Sequence, residues 1–224
     1  MNSYLPHCIL FDFDGTLVDS LPGIEFSVRE AFKSCKLPLR TETLRKLIGP
    51  PIRTILSRAG DIADENCLDR LERAFRTSYD HDGWRKSAFF PEACRVLRLM
   101  YHAGCRLFIV SNKPRHICLR ILETEGVLHC FETIVTRDSR SPYYCGKEEM
   151  IEGLLVKSAI GREHSVMVGD TTDDAQAAAA VGIEFVWMTH GYGSAIEMSS
   201  FPTAHSFDNF SQFSRLLAKE PVCD

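Results

Sequence analysis

Residues 8–20 read Cys8-Ile9-Leu10-Phe11-Asp12-Phe13-Asp14-Gly15-Thr16-Leu17-Val18-Asp19-Ser20. A short apolar run stops abruptly at two aspartates set two positions apart. Such a run, bounded by turn residues, reads as a strand buried on both faces. Residues two apart in extended backbone point the same way. Asp12 and Asp14 therefore crowd one spot at a strand end. Paired carboxylates of this kind either bind a hard cation or divide into one ionised and one protonated member. Gly15 lets the backbone approach a ligand closely or adopt positive φ, and the N–H groups beside it can cradle phosphate oxygens. The plainer reading is a polar turn leaving a strand, against which Asp at both positions is costly at a buried strand end.

Working outward, four further apolar runs read as buried strands, over 107–110, 133–135, 165–168 and 185–188. Helical periodicity lies between them, over 91–102, 115–125, 147–157 and 173–181, the last ending before Gly182 as a C-cap. Strands alternating with helices give an α/β fold, a Rossmann-like parallel sheet with helices on both faces. Residues 22–88 differ: helical periodicity recurs over 24–35, 41–48, 52–59 and 64–79 with no convincing strand, broken at Gly49-Pro50-Pro51 and Gly60-Asp61. The expected organisation is an α/β core of residues 1–19 and 89–224 with an all-helical cap domain, 20–88, inserted after the first strand. A chain of 224 residues, about one and a half ordinary domains, suits that division.

The formal charge of −4, with no Lys/Arg run of five or more, argues against a nucleic-acid binder. No apolar stretch approaches the ~18 residues of a membrane-spanning helix, so no membrane partner is expected. The apolar run at 9–11 ends at once in Asp12, unlike a secretory leader. No two of the nine cysteines lie within ten residues of each other, which excludes zinc sites built from close pairs. Buried free thiols and a cytoplasmic location are expected.

Three more strand ends carry polar features, and ligands of open parallel sheets bind at the carboxyl ends of strands. Ser111-Asn112-Lys113-Pro114 follows one strand and reads first as an ordinary helix start with proline just inside the helix, a kind of site that can also bind an anion. Lys147 stands near a helix start, where it opposes the helix dipole unless it reaches a phosphate; Lys113 and Lys157 compete for that role. Gly169-Asp170-Thr171-Thr172-Asp173-Asp174 follows the fourth strand. Asp173 and Asp174 suit the dipole of the next helix, whereas Asp170, in the exit turn itself, has no such explanation.

Together these residues resemble the haloacid dehalogenase superfamily of phosphotransferases. Its first motif, D-x-D-G-T-L-x-D-S, matches Asp12 to Ser20 throughout; its Ser/Thr, Lys and G-D-x-x-x-D motifs match Ser111, Lys147, and Asp170 with Asp174. The segments around Gly49-Pro50-Pro51 and 79–86 look like the phosphoglycolate-phosphatase-like subgroup with a helical cap. That subgroup usually has proline after the motif lysine, where this chain has Glu148. The resemblance implies a Mg2+-dependent phosphatase acting on a small phosphorylated substrate. Asp12 would be the nucleophile and Asp14 the acid and base. Phosphate would meet Gly15, Thr16, Ser111, Asn112 and Lys147. The cation would meet Asp12, the Asp14 carbonyl, Asp170 and Asp174, with Asp173 as the alternative to Asp174. Of Arg45 and Arg53, which flank the cap break, Arg53 is the preferred substrate contact. The intact D-x-D disfavours a dehalogenase. A sugar-phosphate mutase would share the core, and a phospho-Asp receiver module would place its lysine last along the chain.

Overall fold

The computed structural model describes residues 8–40 and 44–214. Strand β1 (Cys8–Phe11) is followed by a two-residue strand β2 (Val18–Asp19). Helices α1 (Leu21–Ser34), α2 (Ile52–Gly60) and α3 (Glu65–His81) form the insertion, and β3 (Ala88–Phe89) returns the chain. The remainder alternates: α4 (Ala93–His102), β4 (Arg106–Ser111), α5 (Arg115–Thr124), β5 (Phe131–Thr136), α6 (Lys147–Ser158), β6 (Ser165–Gly169), α7 (Thr172–Val181) and β7 (Glu184–Met188). Short elements α8 (Ala195–Met198), β8 (His205–Phe207) and α9 (Phe210–Phe213) close the described chain.

The six-stranded sheet runs β5-β4-β1-β6-β7-β8, and every pairing in it is parallel. Side chains of a strand alternate between faces, and β1 divides accordingly. Ile9 and Phe11 join a core with residues of α4, α5 and α9, such as Leu97, Ile121 and Phe213. Cys8 and Leu10 join a second core with Met150 and Leu154 of α6 and Ala175, Ala177 and Ala178 of α7. A strand buried on both faces has no polar alternation to show, which is why it reads as a continuous apolar run.

The chain leaves β1 for β4 and β5 on one side, then crosses to β6 on the other. β1 is thus the point where strand order reverses, and the crevice beside such a reversal is where open sheets bind ligands. Register aligns Phe11 with Ile109 and with Val168. Asp12, one residue further out, and Ser111 and Asp170, two further out, therefore meet at one edge.

The insertion enters and leaves through a ribbon that the sequence pattern did not suggest. β2 pairs antiparallel with β3, Val18 opposite Phe89 and Asp19 opposite Ala88. Two residues per strand are too few to show a period. The helix expected over 41–48 is also corrected: residues 41–43 lie outside the described residues, and only a single 3-10 turn, Arg45–Leu47, follows. Pro50 disfavours helical backbone at the residue before it, and Gly49 takes a φ of 127°. No helix among the described residues is long and apolar enough to cross a membrane.

Candidate active site

Asp12 leaves β1 with its N–H donating to the Val168 carbonyl at 2.9 Å, so the first carboxylate is fixed by sheet pairing that continues past the strand end. Gly15 follows at a φ of 89°, and a Cβ there would fall 2.2 Å from Asp170 Oδ2. Only glycine allows the motif loop to close on Asp170 in this way. Thr16 donates its hydroxyl to Asp170 Oδ1 at 3.0 Å. Gly15 and Thr16 thus shape the carboxylate cluster, and neither lines the cavity described below.

Two buried lysines divide the aspartate pair between them. Lys147, first residue of α6 and 3% exposed, places Nζ 2.9 Å from Asp12 Oδ1 and 2.5 Å from Asp174 Oδ1. Lys113, 5% exposed, places Nζ 2.8 Å from Asp14 Oδ1 and 2.7 Å from the Tyr79 hydroxyl of α3. The neighbouring carboxylates raise both lysines above the ordinary range against the opposing effect of burial. Of the two candidates at these strand ends, Lys147 meets the first aspartate and Lys113 the second. Lys157 lines neither the cluster nor the cavity.

Asp12, Asp170 and Asp174 are all buried, and each presents a carboxylate oxygen within 4.8 Å of the others. Burial, with repulsion from Asp174 and Asp14, lifts Asp12 to about 7 in spite of Lys147. Burial, with repulsion from Asp174 and Asp12, raises Asp170 well above the carboxylate range. Three buried carboxylates share one ammonium group, an imbalance that an oxygen-liganded divalent cation would offset. The residues therefore fit such an ion. Asp174 Oδ2 already accepts from Asp170 N, Thr171 N and the Thr171 hydroxyl, and its Oδ1 faces Lys147. It caps α7 and braces the loop, leaving Asp12 and Asp170 with freer oxygens. Asp173 is half-exposed at the rim, where it accepts from Asn112 Nδ2 at 3.1 Å.

Ser111, Asn112 and Lys147 line a cavity of about 490 Å3 together with Asp12 and Asp14. The insertion roofs it with Ile24, Ile52, Ile55 and Phe75. Arg53 lines it as well, but its guanidinium is held by Glu65, by Asp69 at 2.7 Å and by Glu72 at 3.2 Å. Arg45 donates instead to the Gly191 carbonyl at 2.5 Å and lies over the Tyr192 ring.

The loop after β7 contributes residues that sequence reasoning did not single out. Tyr192 N donates to Asp170 Oδ2 at 2.7 Å. The Tyr192 hydroxyl accepts from Ser20 N and Leu21 N and donates to Asp19 Oδ1. It serves α1 as an N-cap acceptor, since the Ser20 side chain makes no capping bond. A Cβ at Gly191 or Gly193 would fall about 2 Å from Asp170 atoms. The signal was Gly191-Tyr192-Gly193 just past a fifth strand end. Nearby, the His190 ring lies against Phe90, tilted by 43° with centroids 4.0 Å apart, and faces the Thr16 carbonyl at 3.0 Å.

The family model described as haloacid dehalogenase-like hydrolase matches residues 9–188. A phosphoglycolate phosphatase of Psychrobacter arcticus is 27% identical, over 94% of this chain and 95% of its own length. The tyrosine-protein kinase PtkA of Mycobacterium tuberculosis is 33% identical, over 85% of this chain and 64% of that protein. Among solved structures, a predicted phosphoglycolate phosphatase from Haemophilus somnus superposes with a TM-score of 0.85 at 26% identity, over 97% of this chain and 99% of its own.

Proposed function

The chain belongs to the haloacid dehalogenase-like hydrolase family, and from that premise we propose that it is a phosphatase cleaving the phosphate monoester of a small metabolite. The observation that carries the reading is the assignment of a separate buried lysine to each aspartate of the pair, Lys147 to Asp12 and Lys113 to Asp14. Two carboxylates in distinct electrostatic settings are what a nucleophile and a proton carrier need.

In this mechanism an Asp12 oxygen attacks phosphorus, and the bond from phosphorus to the leaving oxygen breaks. Asp14 gives that oxygen a proton. Its Oδ1 is tied to Lys113, so Oδ2 is the oxygen available for proton exchange. Asp14 then takes a proton from water as the water oxygen attacks the aspartyl phosphate. Inorganic phosphate leaves and the Asp12 carboxylate is restored. Lys147, Ser111 and Asn112 hold the transferring oxygens. Asp12 and Asp170, with the Asp14 carbonyl and with Asp174 behind them, would hold Mg2+. Bound there, the cation lessens repulsion between an anionic nucleophile and an anionic phosphate. The insertion acts as a cap that keeps bulk water from the site. The described cysteines are all free, which supports a reducing, cytoplasmic setting.

A phosphate-release assay with Mg2+ tests the reading. Substrates should include 2-phosphoglycolate, pyrophosphate, nucleoside monophosphates and sugar phosphates. No Mg2+-dependent release from any of them rejects the phosphatase, and unchanged release by Asp12→Asn rejects Asp12 as nucleophile. One observation favours a second reading, phosphoryl transfer to a tyrosine acceptor: the 33% identity to a tyrosine-protein kinase. Labelled ATP separates the two, because label then appears on protein tyrosine instead of in free phosphate.

A further inference from the structure

The cavity falls in the range of metabolite-sized pockets, about 300–1,000 Å3, and nearly all cations on its wall are matched. Lys113 has Asp14, and Lys147 has Asp12 and Asp174. Arg53 has three carboxylates, Arg76 has Glu72 at 3.4 Å, and His116 has Asp80 at 3.2 Å. Arg137 is the exception. It lines the same cavity and has no carboxylate partner among the described residues. Its Nε donates to the Tyr144 carbonyl at 3.2 Å, which holds the side chain and leaves the two terminal nitrogens of the guanidinium unengaged. The adjacent Asp138 lines the cavity too but forms no ion pair with Arg137; its carboxylate accepts from Arg115 N and the Thr136 hydroxyl.

The position of Arg137 is fixed by the sheet. It follows β5 directly, and its N–H donates to the Ser111 carbonyl at 3.3 Å. The guanidinium thus belongs to the rigid core, one strand away from the phosphate end of the cavity. A half-buried cation in a ligand cavity without a counter-charge is a site for an anion, and the arginine fork suits carboxylate or phosphate oxygens. The insertion lines the same cavity with Ile24, Ile52, Ile55 and Phe75, beside the paired Arg53, Glu72 and Arg76.

We infer that Arg137 is a specificity-determining residue that receives a second anionic group, carried on the leaving portion of the substrate. The substrate class is then a phosphate monoester with an anion at its far end and carbon skeleton between, packed against apolar side chains of the insertion. This rests on the phosphatase reading above and deepens it.

The test compares phenyl phosphate with 4-carboxyphenyl phosphate, two probes that differ by one carboxylate. The wild type should favour the carboxylated probe in kcat/KM. A charged hydrogen-bonded contact contributes roughly 1.5–3 kcal/mol, so Arg137→Gln should lower that preference about tenfold or more, through KM instead of kcat. Arg137→Lys should keep part of it, retaining charge without the fork. A preference unmoved by Arg137→Gln overturns the inference, as does one that collapses in Arg76→Gln instead. If neither probe nor any metabolite ester is hydrolysed, the phosphatase reading falls. If phenyl phosphate is hydrolysed and the preference is unmoved, only the role of Arg137 falls.

Discussion

Lys113 Nζ lies 2.8 Å from Asp14 Oδ1. The same nitrogen donates to Tyr79 on α3 at 2.7 Å, so one lysine ties the Asp14 carboxylate to the helical insertion. Loss of a proton carrier typically costs about 10²–10⁴-fold in rate. Asp14→Asn should lower kcat by that order. Lys113→Met should lower it at least tenfold, since a residue acting through Asp14 shares part of its effect. The double variant should be no slower than Asp14→Asn alone. Additive losses in that cycle would show that Lys113 acts by another route.

Metal binding should appear as stability. A ligand at about a hundred times its Kd stabilises by about 2.7 kcal/mol, or a Tm rise of about 5–10 °C in a chain of this size. Mg2+ should raise the Tm of the wild type and not that of Asp170→Asn. Gly15→Ala should lose the rise too, because its Cβ would collide with Asp170 Oδ2. Equal shifts in all three proteins would remove the cation from this cluster.

Tyr192→Phe separates two duties of one residue. The variant keeps the backbone donor to Asp170 and loses the hydroxyl that caps α1. The cost of a lost cap is about 1–2 kcal/mol, or a few degrees in Tm. The Mg2+-induced rise should survive. A variant with unchanged Tm, or one that loses the Mg2+ response, contradicts this division.

His190 gives a pH dependence of stability. Burial between Phe90 and Phe210, with Arg45 nearby, lowers its pKa against the raising effects of the Thr16 and Asp208 carbonyls and the Asp208 carboxylate. A folded-state pKa below the usual value near 6.5 means the unfolded chain binds the proton first. The contribution of His190 is therefore complete above about pH 6.5 and is lost as pH falls below it. Melting temperatures followed from pH 7.5 to 5.5 should decline less steeply in His190→Gln than in the wild type. Parallel declines would assign the slope to other groups.

Five sheet strands were legible in the sequence because each is buried on both faces and reads as an apolar run. The sixth, His205-Ser206-Phe207, sits at an edge with its first two residues exposed, so it carries no such signal. The aspartates were legible because carboxylates at buried strand ends have few other uses. That Lys147 meets Asp12 while Lys113 meets Asp14 required strand register, which is tertiary information. Arg53 drew notice by following the helix break, yet its fate was also written nearby. Glu65, Asp69 and Glu72 recur at a spacing that puts three carboxylates on one face of α3. The role of Tyr192 was illegible in principle, since its hydroxyl meets backbone 172 positions earlier.

The ribbon of β2 and β3 also bears on how the chain folds. Pairing β1 with β4 brings Cys8 to Arg106, closing a loop of roughly a hundred residues, and closure entropy grows with loop length. Once Val18 pairs with Phe89, about seventy of those residues are bypassed. The remaining search is about threefold shorter, which lowers the closure cost by about 1 kcal/mol. An insertion whose two ends meet thus lengthens the polypeptide while leaving the central sheet pairing nearly as local as it would be without it.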